Sequence, residues 1–397
     1  MTSTPVASPR PDALSGLFVV DFTIVMSGPM CTRMMADAGA DVIKIEPPEG
    51  DVVRQRPPLR GAISSYYASM NCGKRSLILD LSPDEGKRLA RELALKADVV
   101  VENFRPGVMK RLGLDYASLV KDNPRLIYAS ISGFGQTGPK ANAPAYAPVI
   151  HAASGYEVAY GEYQRDNSRP ANNGIFIADV MGASYAFSAI QMALYEREKS
   201  GCGQSIDVSL MDSVLSMLIY ELQAAQFPPD RKRQVYEPVR ASDGWVMVAA
   251  VTQKNLDVLF EVIGFSQGKT DPRFVTVAAK EAHWCELLAL IEGWTSQRSG
   301  VECETVLMAA GVPCSRYRTV AEAMQDPQVV ERRFLSELGE SDCSFKVPNA
   351  PYLMSSTPTR ARNTLAGLGE HSEEVLMEKL GLNAQDLQTL RAQGVLG

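Results

Sequence analysis

Alternating apolar and polar runs divide the first 200 residues into strand-like and helix-like segments. Short runs rich in Val and Ile predict strands, and longer runs with apolar residues three and four apart predict helices. The strands are predicted at 17–22, 41–46, 74–81, 98–104 and 125–135, and the helices at 29–40 and 82–97. Ser82, followed by Pro83 and by Glu85 three residues on, is the predicted cap of the second helix. This alternation predicts an α/β fold, a mostly parallel sheet with helices on both faces.

The second half of the chain changes in character. A helix is predicted from about Gly174 to Glu198, and residues 203–227 predict a strand followed by one long apolar helix. The polar, Pro-led segment 228–233 is a candidate linker, and residues 235–330 predict a smaller α/β unit. Two short amphipathic helices are predicted within 368–397.

Composition and charge argue against several classes of function. The chain has 397 residues, a formal net charge of −6 and no Lys/Arg block, so we do not expect nucleic-acid binding. The polar N-terminus is not a signal peptide, and no apolar run approaches the ~20 residues that span a bilayer. The seven cysteines form no C-x-x-C pair and the three histidines are far apart. We therefore expect reduced thiols in a cytoplasmic protein with no disulfide frame and no metal site.

Asp179 is the only charged residue in the stretch 172–187. If this stretch is helical, its same-face neighbours are Ile175, Phe176, Gly182 and Ala183, all apolar or small. The carboxylate could be a helix N-terminal charge, a buried ion-paired group or an exposed one. It could also be a nucleophile or acid–base group in a dry cleft.

Other candidate functional segments and residues lie near the ends of the predicted strands. The segment 19–46 has the strand–turn–helix–strand order of a dinucleotide site, but Gly28 stands alone where G-x-G-x-x-G is required, so hydride transfer is poorly supported. The Gly-rich segment 132–139 is either a turn or a close approach of the backbone to a ligand. Six basic residues are expected at or near the carboxyl ends of parallel strands, where they are either solvated or arranged for phosphate: Lys44, Arg54, Lys74, Arg75, Arg105 and Arg111.

Ten motifs, taken together and in order, resemble the family III CoA-transferases, the group of formyl-CoA transferase and carnitine CoA-transferase. The resemblance runs from about Gly16 to Gly397. The motifs include "MMADAGADVIKIEPPEGD", "NCGKRSLILDL", "DVVVENFRPGVMKRLGL", "SISGFGQTGP", "PAYAPVIHAASG", "ADVMGASYA" and "LGEHSEEVL". Each motif alone is weak evidence, but ten in the family's order make coincidence implausible.

The resemblance implies a mechanism and an assembly. Asp179 falls on the family's catalytic aspartate, which carries an acyl anhydride and then a CoA thioester. The fold implied is a Rossmann-like large domain plus a smaller α/β domain, in an interlocked homodimer. The implied limits are an N-terminal arm at 1–15, the large domain at 16–227, the small domain with linkers at 228–335 and a return to the large domain at 336–397.

The resemblance also assigns binding roles to individual residues. Coenzyme A enters as the substrate thioester, with no permanently bound cofactor. Its adenosine would meet Lys44 and Arg54, its phosphates Lys74 or Arg75, and its nucleotide Arg105 and Arg111. Tyr146 would lie near the acyl group.

Three departures from the formyl-CoA transferase pattern bear on the acyl group. Met26 stands where that pattern has an active-site Gln, and Ala147 stands where many members have an acidic residue. The segment 249–254, with Thr252 and Gln253, replaces a run of glycines. These changes argue against formyl/oxalate exchange. Because succinyl use is common in the family, we expect succinyl-CoA or a similar donor and a small organic acid as acceptor.

Two alternatives remain. An α-methylacyl-CoA racemase shares the fold, but its "GHD" segment reads Ala145-Tyr146-Ala147 here, and His151 is more typical of a core histidine. A non-catalytic CoA-ester-binding protein would keep the basic residues, but it would not need Asp179.

Overall fold

The computed structural model describes residues 11–164, 168–231, 233–339 and 344–396. Residues 1–10 of the predicted arm and Cys343 lie outside these ranges. Contacts divide the chain into two units. Of the described residues, those up to 226 and from 330 onward form the large unit, and those within 227–329 form the small one. The limits expected from the sequence for the small domain are 228 and 335.

The large unit starts with alternating strands and helices. In chain order they are β1 (Phe18–Asp21), α1 (Ser27–Asp37), β2 (Asp41–Glu46), β3 (Leu59–Arg60), β4 (Ile63–Ser64), α2 (Ser65–Asn71), β5 (Arg75–Ile78), α3 (Asp84–Lys96), β6 (Val99–Glu102), α4 (Val108–Leu112), α5 (Tyr116–Leu119), β7 (Ile127–Ser132), α6 (Ala147–Ala153), α7 (Tyr156–Glu162), α8 (Ile177–Ser200), β8 (Ser205–Ser209), α9 (Leu210–Met217) and α10 (Ile219–Gln226).

The small unit and the C-terminal segment follow. They contain β9 (Val239–Ala241), β10 (Gly244–Val248), α11 (Gln253–Val262), α12 (Val277–Ala282), α13 (Trp284–Thr295), α14 (Gly300–Ala309), β11 (Cys314–Arg316), α15 (Val320–Ala323), α16 (Pro327–Glu331), β12 (Leu335–Leu338), β13 (Phe345–Pro348), α17 (Ser372–Leu380) and α18 (Ala384–Ala392).

A six-stranded parallel sheet organises the large unit, in the order β5-β2-β1-β6-β7-β8. Adjacent residues of one strand serve opposite faces, as Val19 and Val20 of β1 belong to different core clusters. Helices α3, α17 and α18 cover one face, and α1, α8 and α9 cover the other. The predicted parallel α/β sheet is therefore confirmed. The strand order reverses between β1 and β6, and ligands bind outside the carboxyl ends of the strands at such a point.

The small unit has its own sheet and core. Strands β11, β10 and β9 pair antiparallel in that order. Large apolar side chains of α11 and α13, among them Phe260, Trp284 and Leu287, fill its interior.

Three local predictions were wrong. The cap of α3 is Pro83 and not Ser82, because the Asp80 carboxylate already accepts the Ser82 amide and holds that residue in the loop. The long helix expected after β8 is broken at Leu218, which leaves α9 and α10 as separate helices. Helix α8 begins at Ile177 rather than near Gly174.

Two further expectations need adjustment. Asp12 of the predicted arm accepts a hydrogen bond from Arg362, and the Leu14 amide donates to the Ala38 carbonyl at 2.9 Å, so this part of the arm is held against the large unit.

Among the described residues, α8 alone is long and apolar enough to cross a membrane by length and composition. A core helix passes the same test, and α8 packs on the sheet through small residues such as Ala183 and Ala186.

Candidate active site

Asp179 lies in the first turn of α8, half-buried against the beginning of α1. Burial raises the pKa of its carboxyl group to about 6, and a hydrogen bond from the Ser27 hydroxyl opposes this rise. A carboxylate whose pKa lies near neutrality is typical of functional sites in clefts. Among the described residues, no cationic side chain forms an ion pair with Asp179, so the reading of a structural ion pair loses its support.

Small residues pack closely against one side of Asp179 only. Gly182 and Ala183, one turn further along α8, are buried, and a Cβ at Gly182 would lie 2.3 Å from Leu210 Cδ2 of α9. Ile175 and Phe176, expected on the same helical face as Asp179, precede the helix and are exposed, so they do not cover the carboxylate. The small residues thus let α8 approach its neighbours, and one side of the carboxylate stays accessible.

His151 holds the beginning of α8 from below. Its ring is fully buried, and Nε2 accepts a hydrogen bond from the Ala178 amide at 3.2 Å. Burial lowers its pKa, although Glu157 nearby acts in the opposite direction. Because Nε2 accepts the Ala178 amide, the imidazole is neutral and its role is to support the helix. This is the role expected of a core histidine. A racemase base needs its ring nitrogen facing a substrate.

Met26 and Tyr66 lie beside this carboxylate. Met26 immediately precedes α1, and the Tyr66 hydroxyl of α2 donates to its sulfur at 3.4 Å. Burial, followed by the charge of Asp179, raises the pKa of Tyr66. Tyr66 was not recognised from the sequence, because a tyrosine within a helical segment such as α2 carries no functional signal of its own.

The loop that carries Met26 is strained and firmly held. Val25 has φ +67°, a left-handed conformation that is a clear outlier for a β-branched residue. Its amide donates to Asp51 Oδ2 at 3.2 Å, and both peptide groups of Ile24 are hydrogen-bonded to Asn103 at 2.8 Å. Such strain persists only where the surroundings over-determine the backbone, and it clusters at functional sites.

Two of the predicted phosphate ligands are enclosed in the protein. Lys44 is 1% exposed, with Nζ 2.6 Å from the Thr23 carbonyl and 3.2 Å from Asp51. Lys74 Nζ is bonded to Asp21 at 3.0 Å, to the Pro29 carbonyl at 2.9 Å and to Asn71 at 2.8 Å. Both lysines therefore support the loops beneath the site and present no accessible ammonium group to a ligand.

Two of the predicted arginines are also engaged in ion pairs. Arg54 forks onto Glu46, with Nε–Oε1 at 2.8 Å and Nη2–Oε2 at 2.6 Å. Arg75 begins β5 and binds Asp41, the first residue of β2, so it lies at the amino edge of the sheet. It also binds Glu374 and Glu378 of α17. The expectation that Arg75 stands at a carboxyl end was wrong.

Arg105 and Arg111 are exposed at the carboxyl edge of the sheet. Arg111 lines a cleft of about 760 Å³ together with residues at or just after the carboxyl ends of β1, β2, β5 and β6, including Phe22, Glu46, Leu79 and Phe104. Gly107, at φ +87°, lies under the Arg111 guanidinium, where a Cβ would approach Nη1 to 3.5 Å. The cleft lies where the order of the strands reverses, at the position that this fold offers to a nucleotide.

The remaining predicted residues are Tyr146, Thr252 and Gln253. Tyr146 immediately precedes α6 and is 70% exposed, next to the buried Ala147. Thr252 caps α11 in the small unit, and Gln253 donates to Asp257 at 2.9 Å on the same helix.

Comparison with known proteins identifies the class of enzyme. The fold and site define a parallel α/β enzyme with a nucleotide-sized cleft and an accessible carboxylate. Residues 14–372 match the sequence model of CoA-transferase family III, and the chain belongs to this family. It is therefore a transferase that uses CoA thioesters and carboxylic acids.

The similar proteins are named for several different substrates. The chain is 39% identical to acetyl-CoA:oxalate CoA-transferase of Acetobacter aceti, over 85% of this chain and 89% of the relative. It is 35% identical to succinate–glutarate CoA-transferase of Agrobacterium fabrum, over 95% and 98%. It is 32% identical to succinyl-CoA–D-citramalate CoA-transferase of Chloroflexus aurantiacus, over 98% of both.

Solved structures agree on the fold. A CAIB/BAIF family protein from Brucella suis superposes with a TM-score of 0.81 at 32% identity, covering 93% of this chain and 100% of that one. Rv3272 from Mycobacterium tuberculosis gives a TM-score of 0.84 at 27% identity, covering 92% and 99%.

Proposed function

We propose that this enzyme transfers CoA from a short acyl-CoA, with succinyl-CoA as the first candidate, to a small dicarboxylic acid. Asp179 is the observation that carries the proposal, because it is a half-buried carboxylate with an accessible side and a pKa of about 6. The named relatives support the acceptor class, since oxalate, glutarate and citramalate are all dicarboxylic acids. Oxalate stays among the candidates despite Met26, because a relative named for it is 39% identical.

The reaction proceeds through covalent states of Asp179. A carboxylate oxygen attacks the thioester carbonyl, the C–S bond breaks, and an aspartyl anhydride and CoA thiolate result. The thiolate attacks the aspartyl carbonyl and releases the donor acid, which leaves an aspartyl-CoA thioester. The acceptor carboxylate then repeats these steps in reverse. Positioning in a dry site offsets the weak nucleophilicity of a carboxylate, since effective molarity contributes up to ~7–11 kcal/mol in favourable cases.

CoA binding is assigned to the cleft at the carboxyl edge of the sheet. We place the nucleotide of CoA against Phe104 and Arg111, with Arg105 at the same loop. Tyr146, Thr252 and Gln253 remain proposed contacts of the acyl group. Lys44, Lys74 and Arg54 support this region from within, through the ion pairs described above.

A homodimer in the cytoplasm completes the proposal. Large apolar side chains on α8 and α10 are exposed in the single chain, namely Tyr185, Met192, Tyr195 and Ile219. We expect a second copy of the chain to cover these side chains, because large exposed apolar patches are typical of interfaces. Light scattering after size exclusion tests this assembly, and a monomer at micromolar concentration would contradict it.

Transfer itself is tested with pairs of substrates. The purified protein is incubated with succinyl-CoA or acetyl-CoA and one of glutarate, oxalate or mesaconate, and the acyl-CoA products are separated by chromatography. We expect a new acyl-CoA that requires both a donor and an acceptor. Deuterium uptake at the α-carbon of a 2-methylacyl-CoA without an acceptor would favour a racemase. Binding of CoA esters without turnover would favour a non-catalytic protein.

Arg111→Ala is expected to weaken CoA-ester binding by about 10- to 100-fold, because a charge-assisted contact contributes roughly 1.5–3 kcal/mol. The KM for the acyl-CoA rises while kcat changes little. Lys110→Ala, an exposed cation next to it that does not line the cleft, is the matched control and should leave KM unchanged. A loss confined to kcat would contradict this role.

A further inference from the structure

A second cavity, of about 640 Å³, lies in the C-terminal part of the large unit. Its walls are the end of α16, the beginning of β12 and the segment 349–360 that follows β13. It shares no lining residue with the cleft that contains Arg111. Cavities of this size are typical of sites for small molecules, and the proposed function makes no use of this one.

Asn349 joins the segments that form the cavity. Its Oδ1 accepts the Ser336 hydroxyl at 3.0 Å and the Ala361 amide at 2.8 Å. Its Nδ2 donates to the Arg333 carbonyl at 2.8 Å, and its own amide donates to the Phe334 carbonyl at 2.7 Å. The shape of the cavity is therefore fixed by hydrogen bonds of one buried-side hub and is part of the fold.

Arg333 lines this cavity in a strained conformation. Its φ of +50° is left-handed, which is uncommon for a residue other than glycine. Its amide donates to the Val330 carbonyl at 2.9 Å and its carbonyl accepts Asn349, so the backbone is held on both sides. Strain of this kind persists only where the surroundings over-determine the backbone, and it clusters at active sites and ligand clamps.

Three guanidinium groups line the cavity, and they belong to Arg332, Arg333 and Arg360. All three residues are exposed, and none of them forms an ion pair with a carboxylate in the part of the chain that the structure describes. Arg332 Nη2 donates to the Pro351 carbonyl at 3.2 Å. Glu331 is the one acidic side chain among the described lining residues, so the lining has a formal charge of +2.

Thr359 adds a buried hydroxyl group to the same lining. The residue is 8% exposed, and its Oγ1 makes no hydrogen bond of ordinary geometry with the described residues. Burial raises the pKa of Tyr352, another lining residue, and the neighbouring Thr359 hydroxyl acts in the opposite direction. Because a buried polar group without a good partner is costly, such a group indicates a place that a ligand or a water molecule completes.

The lining matches a small organic anion with two negative charges. A guanidinium group is a planar fork of donors that stays charged and binds a carboxylate or a phosphate through two parallel hydrogen bonds. A dianion balances the formal charge of +2. Leu335, Leu353 and Met354 provide an apolar wall for the carbon skeleton of such a ligand.

We propose that this cavity binds a small organic dianion, a dicarboxylate or a phosphate ester, at a site separate from the CoA cleft. Arg333 and Arg360 hold the anionic groups, and the Thr359 hydroxyl donates to one of them. The proposal concerns binding alone and does not depend on CoA transfer.

Calorimetry with the full-length protein tests the site. Succinate represents the dicarboxylates, glycerol 3-phosphate the phosphate esters and acetate the singly charged anions. We expect at least one dianion to bind about tenfold or more tightly than acetate. Binding of succinate alone would identify a dicarboxylate site, and binding of glycerol 3-phosphate alone a phosphate site. If neither dianion binds, for example because a second copy of the chain closes the cavity, the inference is overturned.

Variants place the bound anion in this cavity. Arg333→Ala and Arg360→Ala should each weaken binding about 10- to 100-fold, because each removes hydrogen bonds to a charged group. Arg360→Ala keeps the backbone bond from the Arg360 amide to the Asp37 carbonyl, so its melting temperature should match the wild type.

Two controls complete the test. Arg111→Ala alters the CoA cleft and should still bind the dianion. Lys346→Ala removes an exposed cation of β13 that does not line the cavity, and it should bind as the wild type does. Wild-type affinity in both Arg333→Ala and Arg360→Ala would overturn the inference, and so would loss of binding in Arg111→Ala.

Discussion

Asp179→Ala is expected to abolish CoA transfer, with a fall in kcat of roughly 10⁴-fold or more, because the proposed mechanism passes both the acyl and the CoA intermediate through this carboxylate. Affinity for the CoA ester should stay within about threefold of wild type, since the cleft that contains Arg111 is formed by other residues. Turnover is measured with the substrate pair that the wild type uses, and binding by calorimetry.

A stability measurement distinguishes loss of chemistry from loss of fold. Burial raises the pKa of Asp179 from 3.8 to about 6, so the folded state disfavours its ionised form at neutral pH. That cost is present above the folded pKa and is relieved as the pH falls below it. The alanine variant should therefore melt no lower than the wild type. Asp212→Ala, an exposed first-turn aspartate of α9, is the control and should retain activity. Substantial turnover in Asp179→Ala would contradict the mechanism.

Lys74→Met is expected to destabilise the large unit by about 3–5 kcal/mol, because it leaves the Asp21 carboxylate buried without its partner. Burial alone would raise the pKa of Asp21, but Lys74, Lys44 and the hydroxyls of Thr23 and Thr32 lower it to about 2. Removing the ammonium group also removes its hydrogen bonds to the Pro29 carbonyl and to the Asn71 amide oxygen. The midpoint of chemical denaturation measures the effect.

The same variant decides between two roles of Lys74. Lys121→Met makes the same exchange at an exposed lysine and should leave the denaturation midpoint within error. If Lys74 binds CoA phosphates, Lys74→Met would instead remain stable and would lose affinity for the CoA ester. Wild-type stability together with weakened binding would contradict the structural role.

Most of the architecture could be predicted because it depends on local patterns. The strands β1 and β7 consist of buried residues only, and such runs read as strands of a parallel sheet. The errors came from single side chains. Nothing in the local pattern shows that Asp80 would capture the Ser82 amide and move the cap of α3. The break at Leu218 has no Pro or Gly to announce it.

The roles of the site residues were predicted less well than the fold, because ion pairs join residues that are distant in the sequence. Lys74 and Arg111 look alike as cations near strand ends, yet Lys74 is paired with Asp21, 53 positions away, and Arg111 stays exposed. Arg75 is paired with Glu374, 299 positions away. Asp179 could be recognised because a lone carboxylate in an apolar stretch is conspicuous. Ser27 and Tyr66 could not, since serine and tyrosine are common in loops and helices.

Mass spectrometry of the peptide that contains Asp179 tests the central claim most directly. The protein is incubated with succinyl-CoA or acetyl-CoA without an acceptor and is then reduced with borohydride, which converts an aspartyl thioester or anhydride to an alcohol of lower mass. We expect this change at Asp179 with one donor, and not in the Asp179→Ala protein. An unmodified Asp179 peptide from a preparation that transfers CoA would contradict the covalent mechanism.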